Sequence, residues 1–260
     1  MGFDLALVLL ALSGATRAAE PLWGGPEFLD GGRFTVVPGL RAWPVNGYGG
    51  NVVPEIHAGA GLGGGFDLRT GLGVDVPVYY RENGGLYWGY APPSLHDVDL
   101  VARWTWRRTL GVAVRGQRDD HDRWRVGPEV VWAHEGRVRV TVRPGWAFDG
   151  PATEGTFGII SVPVAVAAGF GERWEVFGEV EPSLWPQTIQ MMEGSDEWLG
   201  FDNWLDLGAG AWWRPVAGGV GRLGVEVAYR VEDHTFLAPW EGLSFGLRYG
   251  LDFGAARPAR

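Results

Sequence analysis

The stretch LSFGLRYGLDFG, Leu243 to Gly254, sits a few residues from the end of the 260-residue chain. Leu243, Phe245, Leu247, Tyr249, Leu251 and Phe253 are apolar, and the residues between them are small or charged. Strict alternation over this length is the pattern of a β-strand with one apolar and one polar face. The question it raises is whether the apolar face meets a protein core or lipid. The rest of the chain repeats the pattern. Segments of roughly ten residues with period two run from Phe34 onward, among them Val138–Trp146 and Leu223–Val231. They add up to about twelve strands, an even number, as closed outer-membrane barrels require.

The connections alternate in length. Tight ones fall at Gly63–Gly65, Arg108–Thr109, His134–Gly136 and Gly169–Glu172, and Pro215–Gly221 sits on the same side of the alternation. Longer ones fall at Arg81–His96, Arg118–Arg123, Asp149–Gly155, Leu184–Asn203 and Glu232–Glu241. Short turns on one rim and long loops on the other predict short periplasmic turns and long extracellular loops. The expected fold class is therefore all-β, a closed antiparallel transmembrane barrel. A soluble two-sheet sandwich is the rival reading of the same alternation.

Aromatic placement and the polar face favour lipid. Phe34, Phe66, Trp104, Trp106, Trp132, Trp174, Trp213 and Phe253 stand at the predicted periplasmic ends of strands, and Trp124 and Trp146 at the outer ends. Rings at both headgroup levels form two girdles. The polar face is arginine, carboxylate and glycine, including Gly59, Gly61, Gly71, Gly73, Gly208, Gly210, Gly224 and Gly246. Glycine weakens an open strand, whereas inside a barrel it leaves room for long side chains.

Composition bounds the rest. There is no cysteine, so disulfides and thiolate metal sites are excluded. A net charge of −9 argues against nucleic acid as a partner. Leu5 to Leu12 is apolar and is followed by small residues, so residues 1–18 read as a cleaved signal peptide for export. Residues 19–32 read as a periplasmic N-terminal segment, 33–254 as the barrel and 255–260 as a tail.

The mature chain resembles bacterial outer-membrane β-barrels of about twelve strands. Ser244, Gly246, Tyr249, Leu251 and Phe253 are similar to the C-terminal signal that such barrels present to the barrel assembly machinery, except that Gly254–Arg260 trail behind it. The resemblance implies outer-membrane lipid and lipopolysaccharide as surroundings. It implies no activity, because one fold hosts many.

The inward register assigns the lumen. Arg103, Arg107, Arg115, Arg125, Arg137, Arg139 and Arg143 come from strands four to seven. Glu175, Glu179, Glu181, Asp206, Glu226, Arg230 and Arg248 come from the later strands. One wall is mainly basic and the other mainly acidic. A water-filled constriction with a transverse field, passing small polar solutes, is one consequence. A salt-bridged lumen in a non-conducting structural or surface-interaction barrel is the other. A rim hydrolase of the omptin kind is the third reading. Asp97 and Asp99 have suitable spacing for it, but Glu232-Asp233-His234 lacks an alternating Asp-x-His. No catalytic residue, metal site or cofactor is assigned. The acidic loop Asp119–Asp122 reads as a solvated turn, and His57 as a member of the lumen network.

Overall fold

The computed structural model describes residues 28–46, 49–82, 85–88, 94–106, 109–119, 124–134, 138–150, 159–189, 198–217, 219–232 and 243–254. The signal and tail assignments, together with Arg107 and Arg137, fall outside them.

Fifteen β segments follow one another: β1 (Phe34–Asn46), β2 (Gly49–Gly63), β3 (Phe66–Glu82), β4 (Gly85–Trp88), β5 (Ser94–Trp106), β6 (Leu110–Asp119), β7 (Trp124–His134), β8 (Val138–Val142), β9 (Gly145–Gly150), β10 (Ile159–Ser161), β11 (Val164–Phe170), β12 (Trp174–Ile189), β13 (Trp198–Trp213), β14 (Gly221–Glu232) and β15 (Leu243–Phe253). β8 and β9 are two halves of one spanning strand, as are β10 and β11, and β4 is a short strand hairpinned to β3. Twelve spanning strands result, all antiparallel to their neighbours. β15 pairs with β1, from Phe34↔Phe253 to Ala42↔Phe245, so the sheet closes. Closure leaves no unpaired edge.

The Leu243–Phe253 pattern is realised as an inside-out alternation. Phe245, Leu247, Tyr249 and Phe253 are exposed, while Ser244 and Arg248 are buried. The same inversion holds all round: Leu100, Val114, Val126, Val166 and Val225 face outward. A water-soluble protein does not leave so much apolar surface open.

Tight turns follow from local chemistry. Gly63, Gly64 and Gly65 take φ of 92°, 62° and 85° in the β2–β3 turn, a region side chains disfavour. The Gly65 carbonyl then accepts hydrogen bonds from both the backbone N–H and the hydroxyl of Thr105 (2.8 and 2.9 Å).

Two expectations change. The Leu184–Asn203 connection is shorter than its sequence suggested. β12 and β13 stay paired from Leu184↔Asn203 to Ile189↔Trp198, because this segment continues the hairpin beyond the apolar band. Met191 and Met192 lie outside the described residues. The described end of the N-terminal segment, residues 28–32, enters the barrel. Phe28 and Leu29 are buried inside the tight-turn end of the barrel, where apolar side chains escape water.

Candidate functional site

The interior is the candidate site. Among the described residues, seven arginines (41, 69, 103, 115, 143, 222, 248) and seven carboxylates (55, 67, 129, 179, 181, 206, 226) are buried. The set is charge-balanced, and most of its members are ion-paired. Arg103 holds Asp67 through Nε and Nη2 at 3.1–3.2 Å, and Arg69 lies 3.5 Å from the same carboxylate. Arg115 lies between Asp99 (3.6 Å) and Glu129 (3.5 Å). Arg143 pairs with Glu179 at 2.6 Å and Arg139 with Glu175 at 2.5 Å. Arg230 grips Asp206 with two bonds of 2.7 Å. Arg248 bonds Glu55 at 2.8 Å and also Glu226, and Arg41 approaches Glu55 at 3.4 Å. The Nε2 of His57 is 3.6 Å from Glu55.

These pairs run along the wall, within one strand for Arg69–Asp67 and His57–Glu55 and between neighbouring or next-neighbouring strands for the others. The basic arc carries its own acids, Asp99 and Glu129, and Asp67 stands on the strand beside it. The acidic arc carries Arg222, Arg230 and Arg248. The two-wall contrast is therefore weaker than the sequence suggested. Local pairing wins because a directly opposed or diagonal partner is within reach of one side chain. Arg41, Glu55, Asp67, Arg69 and Arg222 were absent from the sequence assignment. Their signal was present: each occupies an inward position of its strand.

Small residues let the pairs form. Gly39 is register partner to both Glu55 and Arg248. A Cβ on it would meet Glu55 Oε1 at 2.9 Å and Arg248 Cγ at 3.0 Å. Gly210 makes room for Phe177, Gly224 for Trp212 and Gly71 for His57.

Two apolar groups interrupt the charges. Val37, Ala167, Phe177 and Trp212 form one buried cluster contributed by β1, β11, β12 and β13. Phe28, Val131 and Ala133 form the second. Phe28 belongs to a strap that crosses the tight-turn mouth. The Gly32 N–H donates to the Gly61 carbonyl (2.9 Å), and the Gly61 N–H donates to the Arg33 carbonyl (2.8 Å). Leu29 fills the recess at Gly59, and the Phe28 ring lies over Gly111 with the Arg103 guanidinium 4.9 Å from its centroid. Arg222 likewise lies 4.9 Å from the Trp212 ring and bonds Asp252.

The remaining assigned residues take these places. Phe34, Phe66, Trp104, Trp106, Trp132, Trp146, Trp174 and Phe253 face outward and are exposed, and Trp213 is half-buried beside Trp174, ring centroids 6.1 Å apart. The side chains of Trp124 and Arg125 fall outside the described residues. Asp99, considered for a rim protease, sits beside Arg115, and no metal-binding cluster of His, Asp or Glu occurs among the described residues.

No family model matches the chain, and no curated protein matches it in sequence. Solved structures do match. The COG4313 outer membrane channel from Pseudomonas putida F1 is similar with a TM-score of 0.56 and 12% identity, covering 88% of this chain and 98% of that one. The translocator domain of autotransporter NalP from Neisseria meningitidis is similar with a TM-score of 0.55 and 11% identity, covering 97% of this chain and 98% of that one. At such identity the likeness defines the fold: this chain has the architecture of bacterial outer-membrane β-barrels.

Proposed function

We propose that the protein is a narrow outer-membrane channel for small polar solutes, shut by its own N-terminal strap. One observation carries this reading. The strap is not part of the wall, yet it is seated within the barrel end, in recesses left by Gly59, Gly61 and Gly111. Its Gly32–Arg33 end is bonded to Gly61 of β2, so the part that would move is the portion before Gly31 that carries Phe28 and Leu29, a stopper hinged on the wall. The charge-balanced interior supports polar rather than apolar cargo along the barrel axis, with weak preference between anions and cations. Outward apolar residues and aromatic belts would take lipid and lipopolysaccharide. β15 would present the closing strand to the assembly machinery.

A second reading has its own support. Arg222, Glu181 and Asp67 are each only 1% exposed, so the charged layer is packed against itself. A non-conducting barrel with a salt-bridged lumen would look the same. Planar-bilayer recording separates the two. The mature chain should carry little current, and a chain lacking residues 19–30 should carry a steady current with a reversal potential near zero in a salt gradient. Silence in both proteins, with both correctly folded, removes the channel and leaves the structural barrel.

A further inference from the structure

Near the tight-turn mouth, large inward side chains lie along the wall, each over a glycine of the next strand. The Phe177 ring of β12 rests on Gly210 of β13, where a Cβ would meet its Cζ at 2.5 Å. The Trp212 indole of β13 rests on Gly224 of β14, where a Cβ would meet its Cε3 and Cζ3 at 2.7 Å. The Arg222 guanidinium of β14 caps that indole and lies over Gly250 of β15. Ala167 of β11 and Val37 of β1 complete the buried cluster. The result is an apolar arc that runs from β11 through β12 and β13 and round the barrel closure to β1. It belongs to the wall, and it stays when the strap leaves.

The arc lies between two charged levels. On β12 the inward order is Glu175, Phe177, Glu179, and on β14 it is Arg222, Gly224, Glu226. Glu175 is paired with Arg139, Glu179 with Arg143, Arg222 with Asp252 and Glu226 with Arg248. These charges are neutralised within the wall, so they offer a passing ion no net attraction. The strap supplies the facing arc, where Phe28 packs on Val131 and Ala133. When Phe28 swings out, the residues it uncovers there are again apolar, and Arg103 beside them keeps Asp67.

We infer that the Phe177–Trp212 arc is a hydration filter, and that the opened channel passes small uncharged polar solutes, of the polyol and monosaccharide kind, ahead of ions of either sign. The inference rests on the channel reading and names its substrate class. An ion crossing an apolar level sheds part of its hydration shell with nothing to replace it. A neutral polyol holds its water less tightly and has C–H faces that lie in contact with the indole and phenyl rings. Sign of charge plays no part in this discrimination, unlike in a filter built from one charged wall.

The test compares two variants of nearly equal volume in the strapless chain. Phe177→Leu with Trp212→Leu keeps the level apolar, and Phe177→Gln with Trp212→Gln gives it a hydrated lining. Heat-modifiable migration on gels checks that each is folded. Conductance in potassium chloride is recorded in planar bilayers, and arabinose entry is read from the swelling of vesicles holding the same protein. The glutamine variant should conduct about fivefold more than the leucine variant, because water and ions now cross the level together. Their swelling rates in arabinose should agree within about twofold, since the aperture is unchanged. The strapless chain with Phe177 and Trp212 in place should also swell in arabinose, with a conductance below that of the glutamine variant. Equal conductance of the two variants while arabinose enters overturns the filter and leaves the channel standing. A rise in swelling that matches the rise in conductance overturns it too, since the level would then slow all solutes alike. Absence of both current and swelling in every variant removes the channel reading and the filter with it. The single pair Phe177→Leu and Phe177→Gln makes the same comparison if the double variants do not fold.

Discussion

Gly39→Val tests whether the interior is held by the pairs described above. Gly39 lies between Glu55 and Arg248 in register, and their 2.8 Å bond crosses over it. A valine there occupies the space used by Glu55 Oε1 and by Arg248 Cγ. Each partner retains a second contact, Arg41 for Glu55 and Glu226 for Arg248. The cost therefore falls below the ~3–5 kcal/mol of deleting one member of a buried pair. A lost charge-assisted bond is worth ~1.5–3 kcal/mol and overpacking ~1–3 kcal/mol. Replacing glycine by a β-branched residue in a strand returns up to ~1 kcal/mol. The net expectation is a loss of about 3 kcal/mol, a fall of roughly 1.5 M in the urea midpoint at a slope of about 2 kcal/mol/M. Reversible urea unfolding in lipid vesicles, followed by tryptophan fluorescence, measures it. The double variant with Arg248→Met gives the coupling, expected above ~1 kcal/mol because the two sites touch. A loss under ~0.5 kcal/mol, or strict additivity with Arg248→Met, refutes the claim that this glycine exists to let the pair form.

Asp67→Asn removes the carboxylate shared by Arg103 and Arg69 and should cost about 3–5 kcal/mol in the same unfolding assay. Leu100→Arg places a charge on an outward residue that is 55% exposed; it should cost ~2–4 kcal/mol in bilayers if that face meets lipid near the midplane, and nearly nothing if it meets water. Phe28→Ala should loosen the strap, raising axial current while leaving the unfolding midpoint within about 1 M, since few wall contacts are lost. A cysteine at Gly171, in the tight β11–β12 turn, should resist a membrane-impermeant maleimide on intact cells, whereas one at position 153 should react; the opposite labelling reverses the orientation.

Much of this molecule is written locally. Alternation in Leu243–Phe253 and its counterparts follows from the two-residue period of the strand, so strand number, in–out assignment and closure were legible without coordinates. Phe34, Phe66, Trp104, Trp106, Trp132, Trp146, Trp174 and Phe253 face outward for the same reason, because each stands on the apolar face of its strand. Pairing was not. Which carboxylate Arg103 or Arg248 takes depends on the register between strands distant in sequence, and Glu55 meets Arg248 only because β15 closes on β1. Nor did the sequence indicate that Phe28 and Leu29 enter the barrel, since their partners Gly59, Gly111 and Val131 come from β2, β6 and β7. Phe177 and Trp212 were visible as residues, but only the stagger of neighbouring strands sets their rings over Gly210 and Gly224. Local periodicity decides what each strand is; shear between strands decides what stands beside it, and the function of a barrel interior resides in those neighbours.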